Sequence, residues 1–141
     1  PCPPCVDWPR HRMRPTDGCP CGSGEPFGRC CLALHRGERQ AATAEQLMRA
    51  RYSAYAVGDL EYVWQTWHPR TRPPALPVDA GPAWAGLEIL ETVDGGSEDQ
   101  SGEVEFRAHF RDGGRAGALH ERSRFAVRAR RWFYVDGDLL D

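Results

Sequence analysis

Four of the chain's six cysteines lie within thirteen residues, in the segment CPCGSGEPFGRCC. They form two close pairs, Cys19 with Cys21 and Cys30 with Cys31, and eight residues separate the pairs. Thiolates are soft ligands that suit Zn²⁺, and a structural zinc site takes four ligands in tetrahedral geometry. The glycines between the pairs would let the backbone turn sharply enough to bring both pairs to one ion. The spacing therefore predicts a four-cysteine zinc site, whose metal would supply most of the folding free energy of a loop with almost no core.

Disulfides and free thiols are the alternatives for these cysteines. Cys30 and Cys31 are neighbours, and a disulfide between neighbours is strained. Pairing between the two pairs would be feasible in a secreted protein. The first thirty residues contain no apolar stretch of seven or more, so no secretory signal is visible. The sequence thus favours the cytoplasm, where thiols stay reduced and free to bind metal.

The cysteine segment has the pattern C-P-C-G-S-G-x5-C-C, which resembles the SEC-C motif, the small zinc knuckle at the end of the bacterial translocase motor SecA. The resemblance implies zinc ligation by the same four cysteines. It also implies that the knuckle docks another protein, in protein export or translation. The motif usually has a basic residue after Gly-Ser-Gly, whereas this chain has Glu25 and Pro26. A basic partner-binding face is therefore not expected.

The composition limits the classes of partner. A chain of 141 residues is long enough for one ordinary domain with a small appendage. The net charge of −2 argues against a dedicated nucleic-acid-binding domain. No run reaches the ~18 apolar residues that a membrane-spanning helix needs. Residues 1–15 are rich in proline and have no hydrophobic period, which predicts a disordered tail. The tail's Cys2 and Cys5 form an isolated C-x-x-C pair, to which we assign no role.

Two helices are predicted after the cysteines and a polar linker, LALHRGERQA, in which His35 is expected on the surface. Thr43-Ala-Glu-Gln46 has the form of a capping box, which predicts a helix from there to about Val57. Gly58-Asp59 supplies a stop signal and the N-cap of a second helix. The second helix should end before Pro69. Its apolar side chains recur at helical spacing and form one stripe: Leu60, Val63, Trp64 and Trp67.

The rest of the chain has the pattern of about four antiparallel strands. Residues 84–93 are mostly apolar, and residues 104–110 alternate between apolar and polar side chains. A hairpin turn is predicted at 111–115, followed by a second alternating strand at 119–127. Residues 132–135 form a last short strand. Two helices followed by such strands predict an α+β fold, with the helices packed on one face of a curved antiparallel sheet.

This layout is similar to the cone-shaped nuclear-transport-factor-2-like fold. The segments TAEQLMRARYSAY, TWHPRTRP and HERSRF…RWFYVDG, behind the cysteine segment, resemble the uncharacterised bacterial YchJ-like family. The resemblance covers residues 19 to about 138. The chain is thus divided into a tail at 1–15, a SEC-C-like knuckle at 16–36 and a nuclear-transport-factor-2-like domain at 41–141. The family has no established reaction, so the resemblance implies a fold rather than a function.

Polar residues on apolar faces are the candidates for a site inside the cone. Glu121 shares a strand face with apolar residues, so it should point toward the helices, where a carboxylate needs a partner. The expected partners lie on the first helix: Arg51, Tyr52 and Tyr55. A Glu121–Arg51 pair would either lock the fold or anchor a ligand. His68 lies at the end of the second helix and could transfer protons near neutral pH. Alternatively, it has only a structural role, as a histidine that the helix dipole favours at a helix end. His109 and His120 are expected in solvent.

Three functions fit these observations. The first is a zinc-binding accessory protein, whose knuckle contacts another protein while the cone is a scaffold or a binding module for a small ligand. The second is a small dehydratase or isomerase that uses Glu121 and His68, with Arg51 as a further candidate. The third is a structural role, with the cone as a homodimer surface. An open polar pocket of ~300 Å³ or more around Glu121 would favour the enzyme, and a closed aromatic core the others.

Overall fold

The computed structural model describes residues 13–79 and 81–141. The Cys2–Cys5 pair and most of the predicted tail fall within residues 1–12, outside the described residues. Residues 13–15 are described, and the Pro15 carbonyl accepts a hydrogen bond from the Gly28 N–H at 2.8 Å.

Within the described residues, three α-helices precede the sheet along the chain. The first is a single short turn of α-helix that follows a 3-10 turn at Phe27–Arg29. The other two are the helices that the capping signals predict. Their bounds are Cys31–His35 for α1, Ala44–Val57 for α2 and Leu60–Gln65 for α3.

Helix α2 begins and ends at local sequence signals. The Thr43 hydroxyl accepts a hydrogen bond from the Gln46 N–H at 3.1 Å, and the Gln46 side chain accepts one from the Ala42 N–H at 2.9 Å. Gly58 ends the helix with a φ of +83°, a conformation that favours glycine. The prediction for this helix is confirmed at both ends.

Helix α3 is shorter than predicted. It begins at the Asp59 cap, as expected, but ends at Gln65 rather than at the residue before Pro69. Beyond this point the backbone pairs with a strand: the Tyr134 N–H donates to the Thr66 carbonyl at 2.8 Å, and the His68 N–H donates to the Tyr134 carbonyl at 2.7 Å. Pairing with a distant strand therefore replaces the last turn of the helix.

Four strands form one antiparallel sheet in chain order, so the predicted fold class is confirmed. The hairpin turn falls at Gly113-Gly114, whose φ angles are +60° and +86°. The last strand is longer than predicted, because Asp136 and Asp138 pair with Arg124 on the preceding strand at 2.6 and 2.9 Å. The bounds are Ala83–Asp94 for β1, Ser101–Asp112 for β2, Arg115–Arg128 for β3 and Arg131–Leu140 for β4.

The two sides of the sheet differ in character. The inner side packs against α2, and its apolar side chains alternate with outward polar ones. On the outer side, Arg122 of β3 contacts Glu103 at 3.0 Å and Glu105 at 2.7 Å, and it also pairs with Glu91 of β1. The main core contains Leu47, Met48, Tyr52, Val104, Phe106, Phe125 and Trp132.

The segment after the cysteines departs from the predicted polar linker. Its first residues form α1, and Leu34 is buried. The His35 side chain is only 3% exposed, and its Nε2–H donates to the Ala50 carbonyl at 2.8 Å. The expectation of a surface histidine is wrong because α1 packs against α2.

Candidate functional sites

The structure brings the four predicted sulfur atoms together. The Sγ atoms of Cys19, Cys21, Cys30 and Cys31 all lie within 4.8 Å of one another. The Cys21–Cys30 distance is 3.7 Å and the Cys30–Cys31 distance is 3.9 Å. Cys30 is half-buried, and the other three are buried. The cluster is therefore compact and shielded enough to hold a metal ion.

The backbone of the loop explains this convergence. The Cys19 N–H donates to the Glu25 carbonyl at 2.9 Å, which closes the loop beneath the first cysteine pair. Gly22 and Gly24 take φ angles of +80° and +88°, so the tip of the loop needs glycine at both places. The Phe27 N–H then donates to the Asp17 carbonyl at 2.7 Å and fixes the return of the chain.

The loop also has a small core of its own, in contrast to the prediction that it has almost none. Phe27 is 3% exposed and packs with the cysteines and with Ala50 of α2. Arg49 of α2 donates from Nη1 to the Cys21 carbonyl at 2.7 Å. The cysteine loop is thus seated on α2, on a different side of that helix from the sheet.

The packing of the thiols controls their ionisation. Hydrogen bonds from the Cys19 and Cys31 thiols lower the pKa of Cys21. The bond to Cys21 raises the pKa of Cys19 to about 11, and the bonds to Cys19 and Cys21 raise the pKa of Cys31. Four thiolates within 4.8 Å would repel one another, so the fully ionised cluster needs a positive ion among them.

Two hydroxyl groups lie against the sulfur atoms. The Ser53 Oγ of α2 is 3.6 Å from the Cys19 Sγ, and Ser53 is fully buried. The Ser23 Oγ at the loop tip is 3.2 Å from the Cys30 Sγ. Both could donate hydrogen bonds to thiolates. Sequence reasoning missed Ser53, although a serine among the alanines on one side of α2 was a visible signal.

A cavity of about 270 Å³ lies between α2 and the inner side of the sheet. Six of its fourteen lining residues are aromatic, and the lining includes both of the charged residues that the sequence placed there, Arg51 and Glu121. The aromatic residues of the lining are Tyr52, Tyr55, Trp67, Trp84, Phe106 and Tyr134.

Glu121 lies on the inner side of β3, as the strand alternation predicts, but its partners differ from the expected ones. The Ser123 hydroxyl donates to Glu121 Oε2 at 2.7 Å, and the Tyr134 hydroxyl donates to the same oxygen at 3.1 Å. A Cβ at Gly137 would overlap the Glu121 carboxylate, so this glycine makes room for it. The expected hydroxyls of α2 do not supply these bonds.

Arg51 is 4% exposed and has no carboxylate within 4.0 Å among the described residues. Its Nη1 donates to the Val63 carbonyl at 2.7 Å and to the Thr66 hydroxyl at 2.8 Å. The guanidinium carbon lies 4.5 Å from the centre of the Tyr134 ring and 5.4 Å from that of Trp67. Burial lowers the pKa of Arg51, and the aromatic faces partly compensate the charge.

Known protein families match both regions of the chain, the domain with the cavity and the cysteine segment. Residues 43–137 match the family described as YchJ, middle NTF2-like domain, and residues 16–33 match the SEC-C motif. The chain belongs to the YchJ-like family. It is 50% identical to a UPF0225 protein of Streptomyces coelicolor, over 90% of this chain and 99% of the relative. It is 47% identical to a UPF0225 protein of Cupriavidus metallidurans, over 87% and 89% of the two chains.

Two solved structures resemble the YchJ-like chain. A SEC-C motif containing protein from Rhodopseudomonas palustris, solved in solution, has a TM-score of 0.77 and 34% identity, and the match covers 89% of this chain and all of that one (100%). A crystal structure of a SEC-C motif containing protein from Psychrobacter arcticus has a TM-score of 0.73 and 27% identity, with 90% and 85% covered. These similarities establish the fold and the SEC-C segment, and they assign no reaction.

His68 lies apart from the cavity of the YchJ-like domain. Its Nδ1 accepts a hydrogen bond from the Arg70 N–H at 3.1 Å, and its ring centre is 5.9 Å from that of Phe133. Loss of solvation, with Arg70 and Arg128 nearby, lowers the pKa of His68. Since His68 does not line the cavity, the structure does not join it to Glu121 as an acid–base pair.

The other two histidines of the described residues, His109 and His120, lie on the outer side of the sheet. His109 Nε2 is 3.3 Å from Glu88, in the solvent-exposed position expected. His120 is less exposed than expected, because its Nε2 lies 2.6 Å from Glu105. No helix within residues 13–79 and 81–141 has the length and hydropathy of a membrane span.

Proposed function

We propose that the chain is a zinc-binding accessory protein that contacts another protein through its knuckle, residues 16–36. The observation that supports zinc is the set of four sulfur atoms within 4.8 Å of one another. Sulfur donors select Zn²⁺ over the oxygen-binding Mg²⁺ and Ca²⁺. Four protein ligands leave no open coordination position, so the ion would hold structure rather than activate water. Such thiol ligation requires a reducing compartment, and we place the protein in the cytoplasm.

The contact surface that we propose is the exposed tip of the knuckle, residues 22–25. These residues are solvent-exposed, whereas the sulfur atoms beneath them are shielded by α2. The tip would therefore gain a fixed position when the metal is bound, because the ligands on both sides of it would be tied to one ion. A fixed, exposed loop suits docking, since little conformational entropy is lost on association. The cone, residues 41–141, would act as the scaffold.

Metal analysis tests the first half of the proposal. Full-length protein purified without chelator should contain one zinc per chain, and Cys30→Ser should release it. A double variant, Cys2→Ser with Cys5→Ser, is the matched control and should keep the zinc. A disulfide among the four cysteines of the knuckle, found by mass spectrometry, would overturn the proposal.

Site-specific photo-crosslinking tests the second half. A photoreactive residue at Glu25, in the tip, should yield a discrete protein adduct in cells, and Cys30→Ser should abolish it. The same residue at Glu98, in the exposed loop between β1 and β2, is the control and should yield no such adduct. Equal adducts from both positions, or none from Glu25, would contradict a docking role for the tip.

The enzyme alternative is weaker, because its two principal groups are separated. Glu121 lines the cavity and His68 does not. The cavity, at about 270 Å³, also falls just below the size set for an enzyme pocket. The homodimer stays a prediction.

A further inference from the structure

The cone cavity has polar groups that the proposed role of the knuckle does not use. Arg51 is 4% exposed, and only its Nη1 has hydrogen-bond acceptors among the described residues. Its Nε and Nη2 donors have none. Trp67, on the same wall, has a buried Nε1 with no acceptor in the part of the chain that the structure describes. Nε and Nη2 of Arg51 therefore keep donor capacity, and an anionic oxygen in the cavity would accept hydrogen bonds from them.

Glu121 presents the complementary group. Its Oε2 accepts hydrogen bonds from Ser123 and Tyr134, while its Oε1 has no donor among the described residues. Tyr134 separates the two charges, because its ring lies against Arg51 and its hydroxyl bonds to Glu121. The cavity therefore has an unpaired cation and a carboxylate with free acceptor capacity at different points.

This charge pattern restricts the ligand. The charges of Arg51 and Glu121 sum to zero, so a plain anion would be repelled by Glu121 and a plain cation by Arg51. Asp79 also lines the cavity, but it is exposed and its charge is screened by solvent. A molecule with an anionic oxygen and a positively charged hydrogen-bond donor would pair with both groups and keep the site neutral.

The walls restrict the rest of the ligand. Trp84 lies edge-on to Tyr52 at 6.2 Å and to Phe110 at 5.7 Å between ring centres, and Phe106 lines the same cavity. Such walls favour an apolar or aromatic body. A volume of about 270 Å³ is at the lower limit of ligand pockets and admits only a small molecule.

We propose that this cavity binds a small zwitterion with an apolar body, the chemistry of a free apolar or aromatic amino acid. The carboxylate of the ligand pairs with Arg51, its ammonium group donates to Glu121 Oε1, and its side chain packs against the aromatic walls. The site is independent of the metal in the knuckle.

Calorimetric titration of the full chain tests the proposal with a matched set of probes. Phenylalanine has both charged groups, 3-phenylpropanoate lacks the ammonium, phenethylamine lacks the carboxylate and 2-phenylethanol has neither charge. Phenylalanine should bind most tightly, and loss of either charged group should weaken binding about tenfold or more, the usual effect of one charge-assisted hydrogen bond. Equal binding of 2-phenylethanol, or no binding of any probe at millimolar concentration, would overturn the proposal.

Variants identify the groups that contact the probe. Glu121→Gln keeps the shape and should remove the preference for phenylalanine over 3-phenylpropanoate. Glu103→Gln, on the outer side of the sheet, is the matched control and should leave the ranking unchanged. Arg51→Met should abolish carboxylate binding, and its circular dichroism and melting curve must show that it folds. If Arg51→Met unfolds, Glu121→Gln remains a test of the proposal. An unchanged ranking of the four probes in that variant would contradict the site.

Discussion

The knuckle and the cone cavity are built in opposite ways. The knuckle collects its four sulfur atoms from thirteen consecutive residues, and local glycine turns bring them within 4.8 Å. The cavity collects Arg51, Glu121 and Tyr134 from α2, β3 and β4, and only the complete sheet brings them together. A local site can be predicted from the spacing of its residues, and its four close sulfur atoms could hold a metal ion. A distributed site needs no metal, yet its partners depend on strand register.

The largest expected effect is a difference in stability between the knuckle and the cone. Metal removal, or Cys30→Ser, should remove protection from hydrogen exchange across residues 19–31 and leave β2 and β3 protected. If zinc binds as proposed, a metal contribution of about 10–16 kcal/mol, as in zinc-finger peptides, would exceed that of the small core around Phe27, so we expect the loop to open when the metal is lost. The buried residues of the main core and those of the cluster around the cysteines do not overlap, although Ala41 and Tyr62 pack against both. Loss of protection in both strands would show that the two regions unfold as one unit.

The reverse experiment disrupts the cone and spares the knuckle. Phe125 is 1% exposed in the main core, and Phe125→Ala should lower the free energy of unfolding by about 3–5 kcal/mol. Urea denaturation measures this change. The zinc content of the folded fraction should stay the same as in the unmodified protein. A drop in zinc content under native conditions would mean that the cone positions the cysteines.

A smaller effect is expected at the joint between the two regions. The Ser53 hydroxyl lies 3.6 Å from the Cys19 Sγ, so Ser53→Ala should weaken zinc binding about tenfold through loss of a hydrogen bond to a thiolate. Competition with a chromogenic chelator measures the affinity. Ser123→Ala is the control, because that hydroxyl is equally buried but bonds to Glu121 in the cavity. Equal loss of zinc affinity in both variants would argue for a general effect on stability.

The smallest effect is a pH dependence at the contact of α1 with α2. Burial lowers the pKa of His35 below its ordinary value near 6.5, although the bond to Ala50 and Asp59 at 4.0 Å oppose the shift. The unfolded chain then binds more protons than the folded one, so stability is present above about pH 6.5 and is lost as the pH falls below it. Urea denaturation between about pH 7 and 5 should show this loss.

His35→Gln should reduce that loss, and His109→Gln on the outer side of the sheet is the matched control. If both variants keep the slope of the unmodified protein, other groups cause the dependence.

The fold was predictable where its signals are local. The bounds of α2 were predictable because a single nearby residue sets each of them. The Thr43 side chain caps the first turn, and Gly58 adopts the positive φ that ends the helix. The end of α3 was not predictable, because Thr66 and His68 leave the helix to pair with Tyr134, nearly seventy residues later in the chain. Strand order in space determines such pairing, and no spacing in the sequence encodes it directly.

The candidate sites show the same division. The cysteine set follows from spacing, and period-two alternation gives the side of the sheet on which Glu121 lies. Its partner Tyr134 belongs to β4, and strand register determines which of the tyrosines reaches Glu121. His35 was misplaced because the prediction treated the knuckle as separate from the cone. The small side chains of Ala50 and Ser53 give α2 a second packing face, against the cysteine loop. The large apolar side chains of α2 indicate only the face that packs on the sheet.

The outer ladder of charges has a consequence for the inner cavity. Glu121 and Arg122 are adjacent on β3, so a slip of one residue in strand register would exchange the sides on which they lie. Arg122 contacts Glu103 and Glu105 on β2 and also pairs with Glu91 on β1. A slipped sheet would break these contacts and drive the arginine into the apolar core. The ion pairs on the solvent side of the sheet therefore select the one strand alignment in which Glu121 faces the cavity.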